Sequence, residues 1–102
     1  MSVMKLLAVE ELFRSRGRII GSVFLLKPDD AIELILECKA RGIPVFGAEG
    51  FSIVGDKIQP SMEHSISGID ADLDRHQVTI SFLRSHSKLS YWFEVMVEGL
   101  RG

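Results

Sequence analysis

The strongest structural signal in the sequence is a helix pattern that begins at Pro28 and ends near Gly42. Proline has the fixed φ that suits a first helical position, and Asp29 and Asp30 suit the positive end of the helix macrodipole. Glycine readily takes the left-handed conformation that ends a helix. At helical spacing, one broad arc holds the apolar residues Ala31, Ile32, Leu34, Ile35, Leu36 and Cys38. The segment predicts an amphipathic helix that lies on an apolar surface.

A short strand is predicted directly after this helix. Residues 43–46 are apolar and include Pro44, which cannot donate to a sheet and therefore suits a strand start or a sheet edge. We expect Gly47 and Gly50 to bracket a tight turn that holds Glu49.

The following residues predict a meander of antiparallel strands. Gly55-Asp56 is a two-residue loop with glycine first, a composition that closes β-hairpins. The alternation in residues 62–66 favours a half-buried strand that ends at Gly68, with Met62 among its inward-facing residues.

The two ends of the chain are less uniform. Residues 5–16 predict a helix whose apolar stripe is formed by Leu6, Val9, Leu12 and Phe13. Residues 18–26 are too short for periodicity to distinguish a buried strand from a packed loop. Aromatic and β-branched residues in 91–98 predict a closing strand, and its two apolar faces favour a central position in the sheet.

Residues 75–86 allow either a helix or a strand, because Val78, Ile80 and Phe82 also alternate. We favour a helix, since Asp74 and Gln77 have the spacing of a reciprocal capping box. Together these segments predict one α+β domain over residues 1–102, with about three helices packed on a mostly antiparallel sheet of four to five short strands.

Composition excludes several classes of function. The 102 residues carry a net charge of only −2, which does not favour nucleic-acid binding, and no apolar run is long enough to cross a membrane. The single cysteine, Cys38, excludes an internal disulfide, and no signal-peptide pattern is present, so we expect a cytoplasmic protein. Cys38 lies in the apolar arc and is expected to be a buried, unreactive thiol with a raised pKa.

Charge is nevertheless segregated along the chain. Residues 49–74 contain six acidic residues and one basic residue, so this segment sums to −5 and the remainder to +3. An acidic region of this kind can steer a basic partner.

No catalytic, cofactor or metal signature is present. The histidines His64, His76 and His86 are scattered, and the loop with Asp70 and Asp72 lacks the later glycine and glutamate of a calcium-binding loop. No glycine pattern of the nucleotide-binding kind occurs.

The run Glu63-His64-Ser65 has residue types that are used in nucleophilic catalysis. On a regular strand, however, His64 and Ser65 point to opposite faces and cannot share a proton. We expect His64 to face the core with one hydrogen bond.

The segment 27–51, which reads KPDDAIELILECKARGIPVFGAEGF, resembles small bacterial immunity proteins, including that of a tRNA-cleaving colicin. The shared pattern is a helix, a glycine, a short apolar strand and a G-x-x-G turn. This resemblance implies a non-enzymatic inhibitor that binds a toxin made by the same bacterium and occludes its active site. The long N-terminal extension and the strand at residues 62–68 depart from that pattern.

Our leading hypothesis is therefore an immunity-like protein that binds a basic partner, such as a nuclease toxin, through Glu49, Glu63, Asp70 and Asp72. It needs no cofactor, metal or catalytic residue.

Two alternatives remain open. One is a small hydrolase that uses His64 with Glu63 or with a distant acid. The other is a regulatory or structural subunit that dimerises through the strand of Trp92 or through the N-terminal helix.

Overall fold

The computed structural model describes residues 5–87 and 90–99 as three α-helices and five β-strands. The elements are α1 (Ala8–Glu11), β1 (Arg18–Ile20), β2 (Val23–Leu25), α2 (Pro28–Ala40), β3 (Val45–Val54), β4 (Lys57–Ile66), α3 (Arg75–Ser85) and β5 (Trp92–Val97). The α+β class is confirmed. The predicted number of strands is confirmed, but the prediction of one sheet is wrong, because the strands form two antiparallel sheets, a β1–β2 hairpin and a three-stranded sheet in the order β4–β3–β5.

The sheet order corrects the position predicted for the last strand. β5 is an edge strand, and β3 lies at the centre. The free side of β5 meets Leu26, whose N–H donates to the carbonyl of Phe93 at 2.9 Å while the N–H of Phe93 donates back at 2.7 Å. Apolar residues on both faces show only that both faces are covered, and this does not require a strand on each edge.

The core lies between the three-stranded sheet and the two long helices. α2 packs against α3 and β5, and α3 packs against β3. The fully buried residues of the core include Phe24, Leu26, Leu34, Ile35, Cys38, Ile80, Leu83 and Phe93. The predicted arc of α2 is confirmed at most positions but is wrong at Leu36, which is 48% exposed.

Local signals set the ends of both long helices. α2 begins at Pro28, and Gly42 just beyond its end has a φ of +70°. Asp74 caps α3 by accepting a hydrogen bond from the Gln77 N–H at 3.1 Å. The reciprocal half of the predicted capping box is wrong, because the Gln77 side chain donates instead to Ser81 Oγ at 3.3 Å.

The N-terminal segment is less helical than predicted. Helix α1 ends at Glu11, and a 3₁₀ turn follows at Arg14–Arg16. Gly17 then passes so close to the ring of Phe24 that a Cβ at this position would collide with it. Residues 18–26, left unassigned above, form the β1–β2 hairpin and its connection to α2.

Burial also determines the chemistry of the single thiol. Cys38 is fully buried. Desolvation, with a smaller contribution from the carboxylate of Glu10, raises the pKa of this thiol to about 11. The expectation of a structural cysteine with a raised pKa is confirmed.

None of the helices in residues 5–87 and 90–99 has the length and apolar character needed to cross a membrane.

Candidate functional site

Strand β4 contains a large bulge. Gly50 of β3 pairs with Ser61, and Ala48 pairs with Ile66, so β4 advances five residues while β3 advances two. We call residues 61–65 the β4 bulge. Such bulges redirect side chains and occur often beside functional sites.

A serine hydroxyl holds the bulge in place. The N–H of Gly50 donates to Ser65 Oγ at 3.0 Å, and that hydroxyl donates to the carbonyl oxygen of Ser61 at 2.6 Å. The hydroxyl of Ser65 therefore bridges two backbone groups of paired residues.

The two glycines of β3 make this close packing possible. The predicted tight turn at Gly47 and Gly50 is wrong, because both residues lie inside β3. A Cβ at Gly50 would collide with the carbonyl oxygen of His64 and lie 2.9 Å from its Cβ, and a Cβ at Gly47 would collide with the carbonyl oxygen of Ile66. Glycine within a strand often marks such an approach of two backbones.

The bulge also changes which side chains of β4 are exposed. Met62, predicted to face inward, is 86% exposed, and Glu63 beside it is exposed as well. The expected alternation fails because a bulge breaks the two-residue period of a strand.

His64 is half-buried and belongs to a compact group of side chains. Its Nδ1 lies 2.7 Å from Ser61 Oγ, and its ring stacks on Tyr91 with ring centres 4.0 Å apart. The ring of His86 meets it edge-on at 5.3 Å. We call Ser61, His64, His86 and Tyr91 the His64 cluster.

Sequence reasoning singled out only His64 as a potential functional member of this cluster. Ser61 is three residues from His64, a separation that places the two side chains far apart on a regular strand. No local signal indicated the contact between Ser61 and His64, because the bulge that brings them together depends on Gly50 in another strand. The expectation that His64 and Ser65 do not share a proton agrees with the structure, because Ser65 Oγ bonds to Ser61 O.

The third histidine lies apart from this cluster. His76 is on α3, and its Nε2 lies 2.8 Å from the carbonyl oxygen of Ile43. In the described part of the chain, no three residues of the types His, Cys, Asp and Glu are grouped so that they could hold a metal ion.

The prediction that Glu49 lies at a turn is wrong. Glu49 lies in the middle of β3. Its direct partner on β5 is Glu94, and both residues are half-buried. On the other side, Glu49 lies between the two residues that pair across the β4 bulge, and that bulge contains Glu63. We call Glu94, Glu49 and Glu63, one residue from each strand of the sheet, the acidic row.

The other two predicted partner-binding residues lie in the loop between β4 and α3. Asp70 and Asp72 are exposed, and Asp70 Oδ1 accepts a hydrogen bond from the Asp72 N–H at 3.0 Å. This hydrogen bond lies within the loop, which is separate in sequence from the acidic row.

Cations border the sheet at Trp92. The guanidinium of Arg18 and the ammonium of Lys27 lie 5.7 Å and 5.6 Å from the centre of its ring. Lys27 and Trp92 also line an open cleft of about 640 Å³, together with Asp29 and Asp30. Because the walls carry charges of both signs, this cleft does not favour one class of charged ligand.

The sequence matches no protein-family model and no curated protein.

Proposed function

We propose that this protein is a non-enzymatic inhibitor that binds and blocks a basic protein, such as a bacterial nuclease toxin, through its acidic surface. The observation that carries the proposal is the cross-strand pair of Glu49 and Glu94, together with the exposed Glu63 in the bulge of the neighbouring strand β4. The resemblance to toxin immunity proteins supplies the class of partner.

The carboxylates of the acidic row suit a cationic partner. Glu49 and Glu94 lie directly opposite each other on neighbouring strands, so their side chains project from the same face of the sheet. A Lys or Arg side chain of a partner can interact with both. The surrounding carboxylates then steer a basic partner toward the sheet even though the net charge is only −2.

An apolar anchor lies next to these carboxylates. Met62 is 86% exposed and directly precedes Glu63 in the β4 bulge. Methionine adapts its shape to a partner surface, and interfaces commonly combine an apolar centre with a charged rim. The bulge thus offers both elements of a protein-binding site.

The test begins with the partner that cross-links to the full chain in its native host, followed by quantitative titration of that purified partner. We expect the combined change of Glu49, Glu63, Asp70 and Asp72 to Lys to abolish binding without loss of folding. The association rate of the unaltered chain should fall steeply with added salt.

Glu98→Lys is the matched control, because it reverses an exposed carboxylate beyond the end of β5. It should leave affinity nearly unchanged. Equal affinity for the fourfold variant and the unaltered chain would refute the acidic-surface proposal.

A second candidate function, a small hydrolase, is favoured by one observation, the 2.7 Å contact between Ser61 Oγ and His64 Nδ1. A serine within hydrogen-bond reach of an imidazole is the usual form of an activated nucleophile. The sequence suggested Glu63 as an acid that acts with His64. In the described part of the chain, Glu63 makes no hydrogen bond to His64. The test is hydrolysis of an activated ester by the unaltered chain and by two variants. Loss of turnover in both Ser61→Ala and His64→Gln would support a hydrolase over an inhibitor. Turnover that does not depend on Ser61 would exclude the hydrolase.

A further inference from the structure

Two histidines that are distant in sequence meet at the β4 bulge. His64 comes from the bulge, and His86 follows the last residue of α3. Their ring centres lie 5.3 Å apart with an interplanar angle of 83°. Tyr91 supports His64 by stacking, and Phe82 supports His86 with ring centres 4.2 Å apart.

Each ring is held through the same nitrogen, Nδ1. In His86 this atom lies 2.8 Å from the carbonyl oxygen of Phe82. A carbonyl can only accept, so the proton of the neutral ring is on Nδ1 and the lone pair is on Nε2. In His64 the partner is Ser61 Oγ at 2.7 Å, a hydroxyl that can accept the Nδ1 proton in the same way.

The Nε2 atoms of both rings are left available. Among residues 5–87 and 90–99, neither the Nε2 of His64 nor that of His86 has a hydrogen-bond partner. His76 differs, because its Nε2 is already bonded to the carbonyl oxygen of Ile43. A histidine whose Nδ1 is fixed by an oxygen and whose Nε2 is open has the usual arrangement of a metal ligand.

We propose that His64 and His86 bind one divalent transition-metal ion of the borderline class, such as zinc or nickel, through their Nε2 atoms. An ion about 2.0–2.1 Å from each Nε2 lies roughly 3 Å from each ring centre, so two imidazoles on one ion have centres up to roughly 6 Å apart. The observed 5.3 Å falls within that limit. Imidazole ligands suit zinc, copper and nickel rather than magnesium or calcium.

The site is an open one. Two imidazoles are the only protein ligands that the described residues supply, so water completes the coordination sphere and affinity is lower than in a closed structural zinc site. Binding also requires neutral imidazoles, so protons compete with the ion. The proposal is independent of the acidic-surface function.

Calorimetric titration of zinc chloride and nickel chloride into the full chain at pH 7.5 tests the site. We expect saturable binding of one equivalent. His64→Gln and His86→Gln should each abolish it, and His76→Gln is the matched control that should leave it intact. Ser61→Ala should weaken binding on the order of tenfold, because it removes an oxygen that orients a ligand.

Nitrogen-15 spectra of the unaltered chain give a readout that does not depend on the folding of variants. Addition of zinc should shift the Nε2 resonances of His64 and His86 and leave those of His76 in place. The proposal is overturned if no saturable binding occurs below roughly millimolar metal, or if His76→Gln reduces binding as much as the other two variants do.

Discussion

The two neighbours of β3 pair with it in different ways. On the β5 side, the pairing continues from Val45 to Phe51 with a shift of a single residue near Phe46. On the β4 side, three additional residues interrupt the pairing between Gly50 and Ala48. One central strand therefore has a nearly regular partner and a strongly bulged one.

The chemistry on the two sides follows this difference. β5 contributes Phe93 and Val95 to the apolar core. The β4 side contributes a polar network in which Ser65 and His64 hold the bulge. The regularly paired strand β5 places apolar side chains in the core, whereas the bulge supplies Glu63 to the acidic surface and His64 to the proposed metal site.

The largest expected effect lies on the regular side. Phe93 is fully buried, and Phe93→Ala should lower the free energy of unfolding by about 3–5 kcal/mol through lost burial and a residual cavity. Urea denaturation measures the change. Trp92→Ala, on the other face of β5 and only half-buried, should cost clearly less. Equal losses would contradict the assignment of the Phe93 face of β5 as the core face.

Gly50→Ala acts on the bulged side and should have the next largest effect. The added Cβ collides with the backbone of His64, and we expect a loss of about 1–3 kcal/mol as the bulge is displaced. The nitrogen-15 signals of His64 should shift in the same variant. Ser52→Ala, two residues further along β3, is the control and should be nearly neutral. If the bulge were unchanged in Gly50→Ala, the close contact between the backbones of Gly50 and His64 would not be required for the bulge.

Ser65→Ala removes the hydroxyl that bridges Gly50 and Ser61 without adding bulk. We expect a loss of about 1 kcal/mol, because two partly buried backbone groups lose their hydrogen-bond partner and water replaces it incompletely. Hydrogen exchange of the Gly50 amide should accelerate while amides shared by β3 and β5 keep their protection. Simultaneous loss of protection on both sides would mean that the two sides unfold as one unit.

The smallest expected effect concerns the loop that follows β4. The Gln77 N–H that bonds to Asp74, with Lys39 nearby, holds the pKa of this carboxyl below its ordinary value of 3.8. Its charge therefore stabilises the fold above that pH, and the contribution disappears as the pH falls through the lowered pKa. Asp74→Asn keeps a capping side chain, so the difference in urea midpoint between the two proteins should be small at pH 7 and should shrink as the pH falls below 3.8. A difference that grows on acidification would contradict this sign.

Local signals predicted much of the fold. Pro28 and Gly42 marked the ends of α2, and Gly55-Asp56 closes the β3–β4 hairpin as expected, since Val54 pairs with Lys57. Asp74 caps α3. Each of these features depends on residues within a few positions of one another, which is why the sequence alone was sufficient.

The candidate sites were only partly accessible to the same reasoning. Glu49 and Glu63 were selected for their charge, but the opposition of Glu49 and Glu94 depends on the register between β3 and β5. The meeting of His64 and His86 depends on a bulge and on the end of a helix. Neither arrangement leaves a periodic or spaced pattern in the sequence.

The sequence by itself determined the α+β class, the ends of α2, and the hairpin at Gly55, and it favoured a helix over a strand for α3. These follow from propensity, periodicity and turn chemistry, which act over a few residues. The tertiary structure decided that Gly47 and Gly50 belong to a strand, because only the neighbouring backbone of β4 makes a side chain there impossible. It also decided which acids and histidines face one another, because strand register and a bulge connect residues that are far apart in the chain.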